Sequence, residues 1–195
     1  MYEPVKKRCS WPKNDKTYIQ YHDREWGVPV YDDRELFEKL ILDGAQAGLS
    51  WITILKKQQN YQKAYDQFNP LKIANWTDRK IETLCTDSGI IRNRLKILAA
   101  KKNARAYLDL VQEKGNFSEF IWSFVDQEPI TNSRKSWEGT PATTKESERM
   151  SKELKARGFQ FVGPTICYAF MQAVGMVNDH IVSCFRHEEI RGMTG

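Results

Sequence analysis

Two cysteines and two histidines lie at opposite ends of the chain, Cys9 and His22 near its start and His180 and Cys184 near its finish. Thiolate and imidazole are the ligand types that zinc prefers, and four of them would close a tetrahedral sphere. His180 and Cys184 are spaced i, i+4, so on a helix both side chains would project from one face. A closed site leaves no position for an activated water, so a metal held here would build structure and join the two termini. The alternative is that all four are ordinary buried side chains. Free cysteine is commonly buried, and the interval between the two halves is far longer than in a compact finger.

A second feature is a turn bracketed by glycines. Gly158 and Gly163 flank Phe159 to Val162, Pro164 follows, and helical patterns lie on both sides. Such a helix-hairpin-helix exposes backbone amides beside a helix N-terminus, where a DNA phosphate is favoured without base reading. A plain glycine-ended helix turn is the alternative. Aromatic residues are plentiful, with six tryptophans, eight tyrosines and nine phenylalanines. Rings beside basic residues are one way of holding a base out of its stack.

The elements that must position these groups read as helical throughout. Asp32 or Asp33 caps a segment carrying Leu36, Phe37, Leu40 and Ile41, followed by an apolar stretch from Leu49 to Leu55. Asn69-Pro70 opens a short helix, Thr77 caps the next, and a long basic helix runs from about Arg92 to Val111. Phe117 to Val125 forms another. Asp126 to Thr144 is polar, with Pro129, Gly139 and Pro141, and reads as the longest loop. Helices around Lys145 to Lys155 and Pro164 to Val174 follow, then one bearing His180 and Cys184. No useful strand pattern and no repeat emerges, so the expected class is all-α, as one domain over residues 1–195.

The bulk composition limits the possibilities. At 195 residues and 41 % hydrophobic content, the chain can bury a core without disulfides. The net charge of +5 permits an acidic partner such as DNA but does not demand one. No apolar run is long enough to span a bilayer, and Met1 to Arg8 lacks the apolar stretch of a signal peptide. With four cysteines only, a reducing cytoplasmic setting is expected.

Several motifs in one order then carry a family resemblance: Arg8 to Trp11, Tyr18 to Pro29, Asp43 with Gln46 to Trp51, Gly89 to Arg92, Phe159 to Gln172, and Val177 to Cys184. Over nearly its whole length the chain resembles the constitutive, type I family of DNA-3-methyladenine glycosylases, within the helix-hairpin-helix superfamily of base-excision glycosylases. The resemblance implies a two-lobed fold, with a helical lobe over roughly 31–125 and the hairpin near 146–174. It also implies a Cys-His-His-Cys zinc site, mapping onto Cys9, His22, His180 and Cys184.

The implied reaction is hydrolytic release of 3-methyladenine from alkylated double-stranded DNA, by a monomer, leaving an abasic site. Such a base must first leave the duplex, and its positive charge makes aromatic faces attractive neighbours. The expected rings around the base are Tyr18, Tyr21 and Trp51, each of which also suits core. The resemblance makes Asp43 the carboxylate that selects the base, the alternative being a polar residue near a helix end, and Gln46 lines the pocket floor or caps a loop amide. Trp11 and Trp26 are expected to be core. Gly48 and Leu49 fall where the superfamily presents a wedge to the vacated gap, although Leu49 also suits helix core. Gly158, Val162, Gly163 and Thr165 are the expected DNA contacts.

Three positions depart from the superfamily pattern. Bifunctional relatives carry a lysine where Thr165 stands and an aspartate where Asn178 stands; without the amine no Schiff base forms. Asp179 is either a substitute carboxylate or the cap of the helix presenting His180. The family usually has glutamate at position 43, so the aspartate implies retained activity with altered selectivity. A zinc-stabilised DNA-binding module without catalysis and a zinc hydrolase are the rival readings.

Overall fold

Capping residues set most of the helix boundaries. In the computed structural model, which describes residues 6–193, Asp15 Oδ1 accepts from the amides of Thr17 and Tyr18 and starts α1 (Lys16–Arg24). Asp32 caps α2 (Asp33–Gln46) through the Glu35 amide. Asp33 does not cap its own helix. Its two oxygens receive the Phe117 and Ser118 amides and thereby cap α8 (Phe117–Trp122), 84 residues away.

Between these lie α3 (Trp51–Leu55), α4 (Gln58–Ala64), α5 (Pro70–Ala74, capped by Asn69), α6 (Asp78–Thr86, capped by Thr77) and α7 (Arg94–Lys114, capped by Asn93). After α8 come α9 (Lys145–Ala156), α10 (Pro164–Ala173) and α11 (Phe185–Arg191). The class is all-α. The single exception among the described residues is a two-residue parallel pair, β1 (Ile130–Thr131) with β2 (Val177–Asn178). None of the described helices is long and apolar enough to cross a membrane.

Helix α2 is central. Leu36, Phe37, Leu40, Ile41 and Leu42 are buried, and the helix packs against α3, α7, α8 and α10. One apolar core runs from these residues through Tyr61, Phe68, Ile97, Phe117 and Trp122 to Leu154, Phe170 and Met171. The basic residues of α7 are not all solvated: Lys96 donates to the carbonyls of Ala45 and Ala47, closing the C-terminus of α2, and Lys101 reaches Trp76 O.

The hairpin between α9 and α10 is held from both sides. Asn103 on α7 accepts from Gln160 N at 2.7 Å and donates to Gln160 O at 3.0 Å, while Ser151 Oγ donates to Val162 O at 2.6 Å. Gly158 takes φ +90° in this turn, a conformation that suits glycine.

The end of α10 is joined to the N-terminal segment. Val30 N donates to Val174 O, and Gly175 (φ +74°) follows. A Cβ at Gly175 would stand 2.4 Å from Pro29 N and 2.5 Å from Val28 C, so only glycine admits this crossing.

Candidate active site

Cys9, His22, His180 and Cys184 converge, all buried, with one ligand atom from each lying within 4.8 Å of the others. Cys184 Sγ is 3.5 Å from His22 Nε2 and 3.6 Å from His180 Nδ1, and Cys9 Sγ is 3.7 Å from His180 Nδ1. Zinc bonds of about 2.0–2.3 Å in a tetrahedron give ligand–ligand edges of about 3.3–3.8 Å, and these three distances fall in that range, as the thiol and imidazole donor chemistry also suits a metal ion.

The remaining imidazole nitrogens are also engaged. His22 Nδ1 faces Asp23 Oδ1 at 2.8 Å, and Arg8 donates to Asp23 through Nε and Nη2; His180 Nε2 faces Trp26 O at 3.1 Å. These partners fix both imidazole rings, leaving His22 Nε2 and His180 Nδ1 turned towards the two thiols. The hydrogen bond between the two thiols, with burial, pushes Cys9 up, and the same bond, with contacts to His180 and His22 and against burial, pushes Cys184 down, so Cys184 is the more acidic of the pair.

The i, i+4 spacing of His180 and Cys184 predicts one helix bearing both, and the structure corrects this. His180 follows β2 in extended chain, Cys184 is the N-cap of α11, and a turn closed by Cys184 N to Ile181 O brings them together. The next helix begins too late to carry both.

Beside this cluster is a cavity of about 240 Å³. Tyr18, Tyr21 and Trp26 reach it from α1 and the turn after it, Asp43 and Gln46 from the last turns of α2, Trp51 from the start of α3, and Ala169, Gln172 and Ala173 from α10. Asp43 is the only carboxylate among the described residues that line it. That side chain is 3 % exposed, and its Oδ2 has no hydrogen-bond partner among the described residues. Burial raises its pKa to about 8, against a small opposing effect of Lys39.

The indole nitrogen of Trp11 is buried at the same cavity with no partner among the described residues, and that of Trp51 is buried beside the Tyr21 hydroxyl. Desolvation, with Asp43 and Glu25 nearby, raises the Tyr21 hydroxyl well above its ordinary pKa and keeps it neutral. The Tyr18 hydroxyl accepts from Ile52 N at 2.9 Å, which fixes the start of α3 against α1.

All five pocket residues expected from the sequence therefore line one cavity. Gln46 lines the cavity, but it caps a loop carbonyl and not a loop amide: its Nε2 donates to Leu49 O at 2.7 Å. This bond closes a turn in which Gly48 takes φ +76° with open space beside it, and Leu49 is left 38 % exposed in a loop and outside helix core. The hairpin residues Gly158, Val162, Gly163 and Thr165 do not line the cavity. Val162 is a buried core side chain, while Gly158 and Thr165 are exposed.

The family profile described as Methyladenine glycosylase matches residues 11–187. The chain belongs to this family. Among methyladenine glycosylases, it is 51 % identical over 177 residues to the Escherichia coli protein named DNA-3-methyladenine glycosylase 1, covering 91 % of this chain and 95 % of the relative. It is 50 % identical to the Haemophilus influenzae DNA-3-methyladenine glycosylase, covering 91 % and 96 %. A crystal structure of 3-methyladenine DNA glycosylase I superposes with a TM-score of 0.90 at 51 % identity, covering 92 % of this chain and 98 % of that one. The Staphylococcus aureus 3-methyladenine DNA glycosylase I superposes at 0.89 with 36 % identity, covering 91 % and 95 %.

Six lining residues of this methyladenine glycosylase carry no such expectation from the sequence: Ala169 and Ala173 of α10, together with Trp11, Trp26, Trp137 and Gln172. Trp11 and Trp26, expected as core, both line the cavity. Trp26 is buried and also packs on His180, with ring centroids 4.6 Å apart. Gln172 lines the cavity while donating to Asp179 Oδ2. Trp137 comes from the polar loop, where a lone indole in the run Ser136 to Pro141 was the available signal.

Asp179 neither caps a helix nor stands free. Its oxygens accept from Asn132, Arg134, Tyr168 and Gln172. Burial acts to raise its pKa, but these four donors together outweigh that and hold it below the ordinary carboxylate value.

Proposed function

We propose that this chain is a monofunctional DNA glycosylase that extrudes 3-methyladenine from alkylated double-stranded DNA and hydrolyses its glycosidic bond, leaving an abasic site. The observation that carries the reading is a single buried carboxylate, Asp43, with one oxygen unpartnered inside a cavity walled by aromatic rings. The related proteins point the same way: one was solved in complex with 3-methyladenine, and the Staphylococcus aureus structure is described as the basis of 3-methyladenine recognition.

The side chains divide the work. Methylation at N3 makes the base cationic and weakens its bond to the sugar. Tyr18, Tyr21 and Trp51 present ring faces to that charge, and Asp43 Oδ2 accepts from the base. An uncharged base brings no cation to offset the cost of ionising Asp43 in a dry cavity, which favours the lesion over normal bases. Binding the cation lowers the Asp43 pKa, so capture of the base and ionisation of the carboxylate reinforce one another.

Leu49, held out on the Gly48 turn by Gln46, enters the gap left in the duplex and offsets part of the unstacking. The backbone amides of Gly158 to Thr165, at the N-terminus of α10, take a DNA phosphate as the helix-hairpin-helix. Water attacks the sugar carbon while the aromatic walls hold the base in place. Thr165 has no amine, so no covalent enzyme–sugar adduct forms and the strand is not cut.

Cys9, His22, His180 and Cys184 would hold one zinc ion, which when bound supplies a structural cross-link between the N-terminal segment and the chain after β2. The whole chain serves as one two-lobed domain, acting as a cytoplasmic monomer.

The test is chromatographic resolution of the bases released from methylated duplex DNA by the wild type and by Asp43→Asn. The wild type should release 3-methyladenine, with release falling about 10- to 100-fold in the variant, the loss of one hydrogen bond to a charged partner. No release by the wild type, with DNA binding intact, would replace this reading with a non-catalytic DNA-binding module.

A further inference from the structure

The loop between β1 and α9 carries one aromatic residue, Trp137, in an otherwise polar run from Asn132 to Thr144. Its position is built with care. Ile130 N donates to Met176 O and Asn132 N to Asn178 O, which pins the start of the loop to the chain around β2. The side chains of Asn132 and Arg134 both donate to buried Asp179, Val182 N donates to Arg134 O, and His187 Nε2 faces Asn132 O at 3.0 Å.

After the indole the chain turns sharply at Gly139 (φ +80°), and the Thr140 amide and hydroxyl both donate to Trp137 O, at 3.2 and 2.8 Å. A loop secured by this many hydrogen bonds loses little further entropy when it presents a side chain.

The indole it presents is half-buried on the base cavity. Its centroid lies 5.7 Å from that of Trp26 and 6.3 Å from that of Trp11, and all three rings line the cavity. Asp179 links this loop to the cavity's other wall, because it also receives Gln172 of α10.

We infer that Trp137 is a specificity-determining wall of the base pocket, giving the extruded purine an aromatic face and limiting the size of its alkyl group. This rests on the glycosylase reading above. A wall that touches the bound base before and during bond cleavage acts on binding more than on the chemical step. One aromatic face against a base corresponds to about a 5- to 150-fold change in affinity.

The experiment is steady-state release of 3-methyladenine and of 3-ethyladenine from duplex DNA by the wild type, Trp137→Phe and Trp137→Ala, with melting temperatures for all three. Trp137→Ala should raise KM for 3-methyladenine sites about 5- to 150-fold, change kcat little, and narrow the preference for the methyl over the ethyl lesion. Trp137→Phe should recover most of the KM. An active wild type matched in KM and preference by Trp137→Ala would overturn the inference and leave the glycosylase reading standing. So would a KM defect that Phe does not rescue and that tracks a lowered melting temperature, since the indole would then be packing alone. A wild type that releases neither base defeats the glycosylase reading, and the inference with it.

Discussion

Replacing Asp43 by asparagine should make this protein more stable while making it a poorer enzyme. In the folded chain the carboxyl is buried, and its pKa is raised from an ordinary 3.8 to about 8. Between those two values the unfolded chain has released the proton and the folded chain still holds it. Stability therefore falls as pH rises, by about 1.4 kcal/mol per pH unit. The penalty is absent below about pH 4, reaches about 4 kcal/mol at pH 7, and levels off above about pH 8. Measured against a typical total of about 5–15 kcal/mol, this is a large burden for one side chain.

Asparagine has no such titration, so subtracting the two proteins isolates Asp43 from every other group that ionises. Urea unfolding followed by circular dichroism, at pH 5, 6, 7 and 8, should show the variant gaining on the wild type by about 1.4 kcal/mol per unit. Base release by the wild type should rise through the same window as the carboxylate ionises. A stability difference that stays constant with pH would refute the reasoning, because Asp43 would then be solvated or partnered in the folded state.

Removing zinc with a chelator, or substituting Cys184→Ser, should lower the melting temperature by at least about 5 °C and abolish one-to-one zinc binding measured by atomic absorption. Because Trp26 packs on His180 and lines the cavity, tryptophan fluorescence should change in parallel. Gly175→Ala forces a Cβ to within 2.4 Å of Pro29 N at a positive φ; a loss of about 2–5 kcal/mol in urea unfolding is expected. Asp179→Ala leaves Arg134, Asn132, Tyr168 and Gln172 without their acceptor. It should cost about 3–5 kcal/mol and expose the loop after β1 to proteolysis, read by limited digestion and mass spectrometry.

Much of the helical framework was legible in local sequence, because capping and periodicity act within a few residues. Asn69-Pro70 and Thr77 open α5 and α6 where their chemistry predicts. Where a polar side chain spends its hydrogen bonds at long range, the sequence was silent. Asp33 looks like a cap for α2 and instead caps α8, and nothing near Lys96 in the sequence indicates that it closes the end of α2. Leu95, apolar and in register on α7, is 69 % exposed.

The site divides along the same line. Residue types left Cys9, His22, His180 and Cys184 open as metal ligands or ordinary buried side chains, the structure gathers them as a group that could hold a metal ion, and the five residues Tyr18, Tyr21, Asp43, Gln46 and Trp51 expected from the motif resemblance lie at one cavity. Tertiary structure decided the rest. An i, i+4 interval fits one turn of helix, yet a chain turn that brings His180 and Cys184 to the same point satisfies the ligands equally well, because coordination depends on position in space. Trp137 carries no periodic signal; it reaches the cavity only because its loop is tied to Asp179 and to the segment around β2. The free oxygen of Asp43 is likewise a product of packing, since desolvation comes from every element that closes over a group and not from its neighbours in sequence.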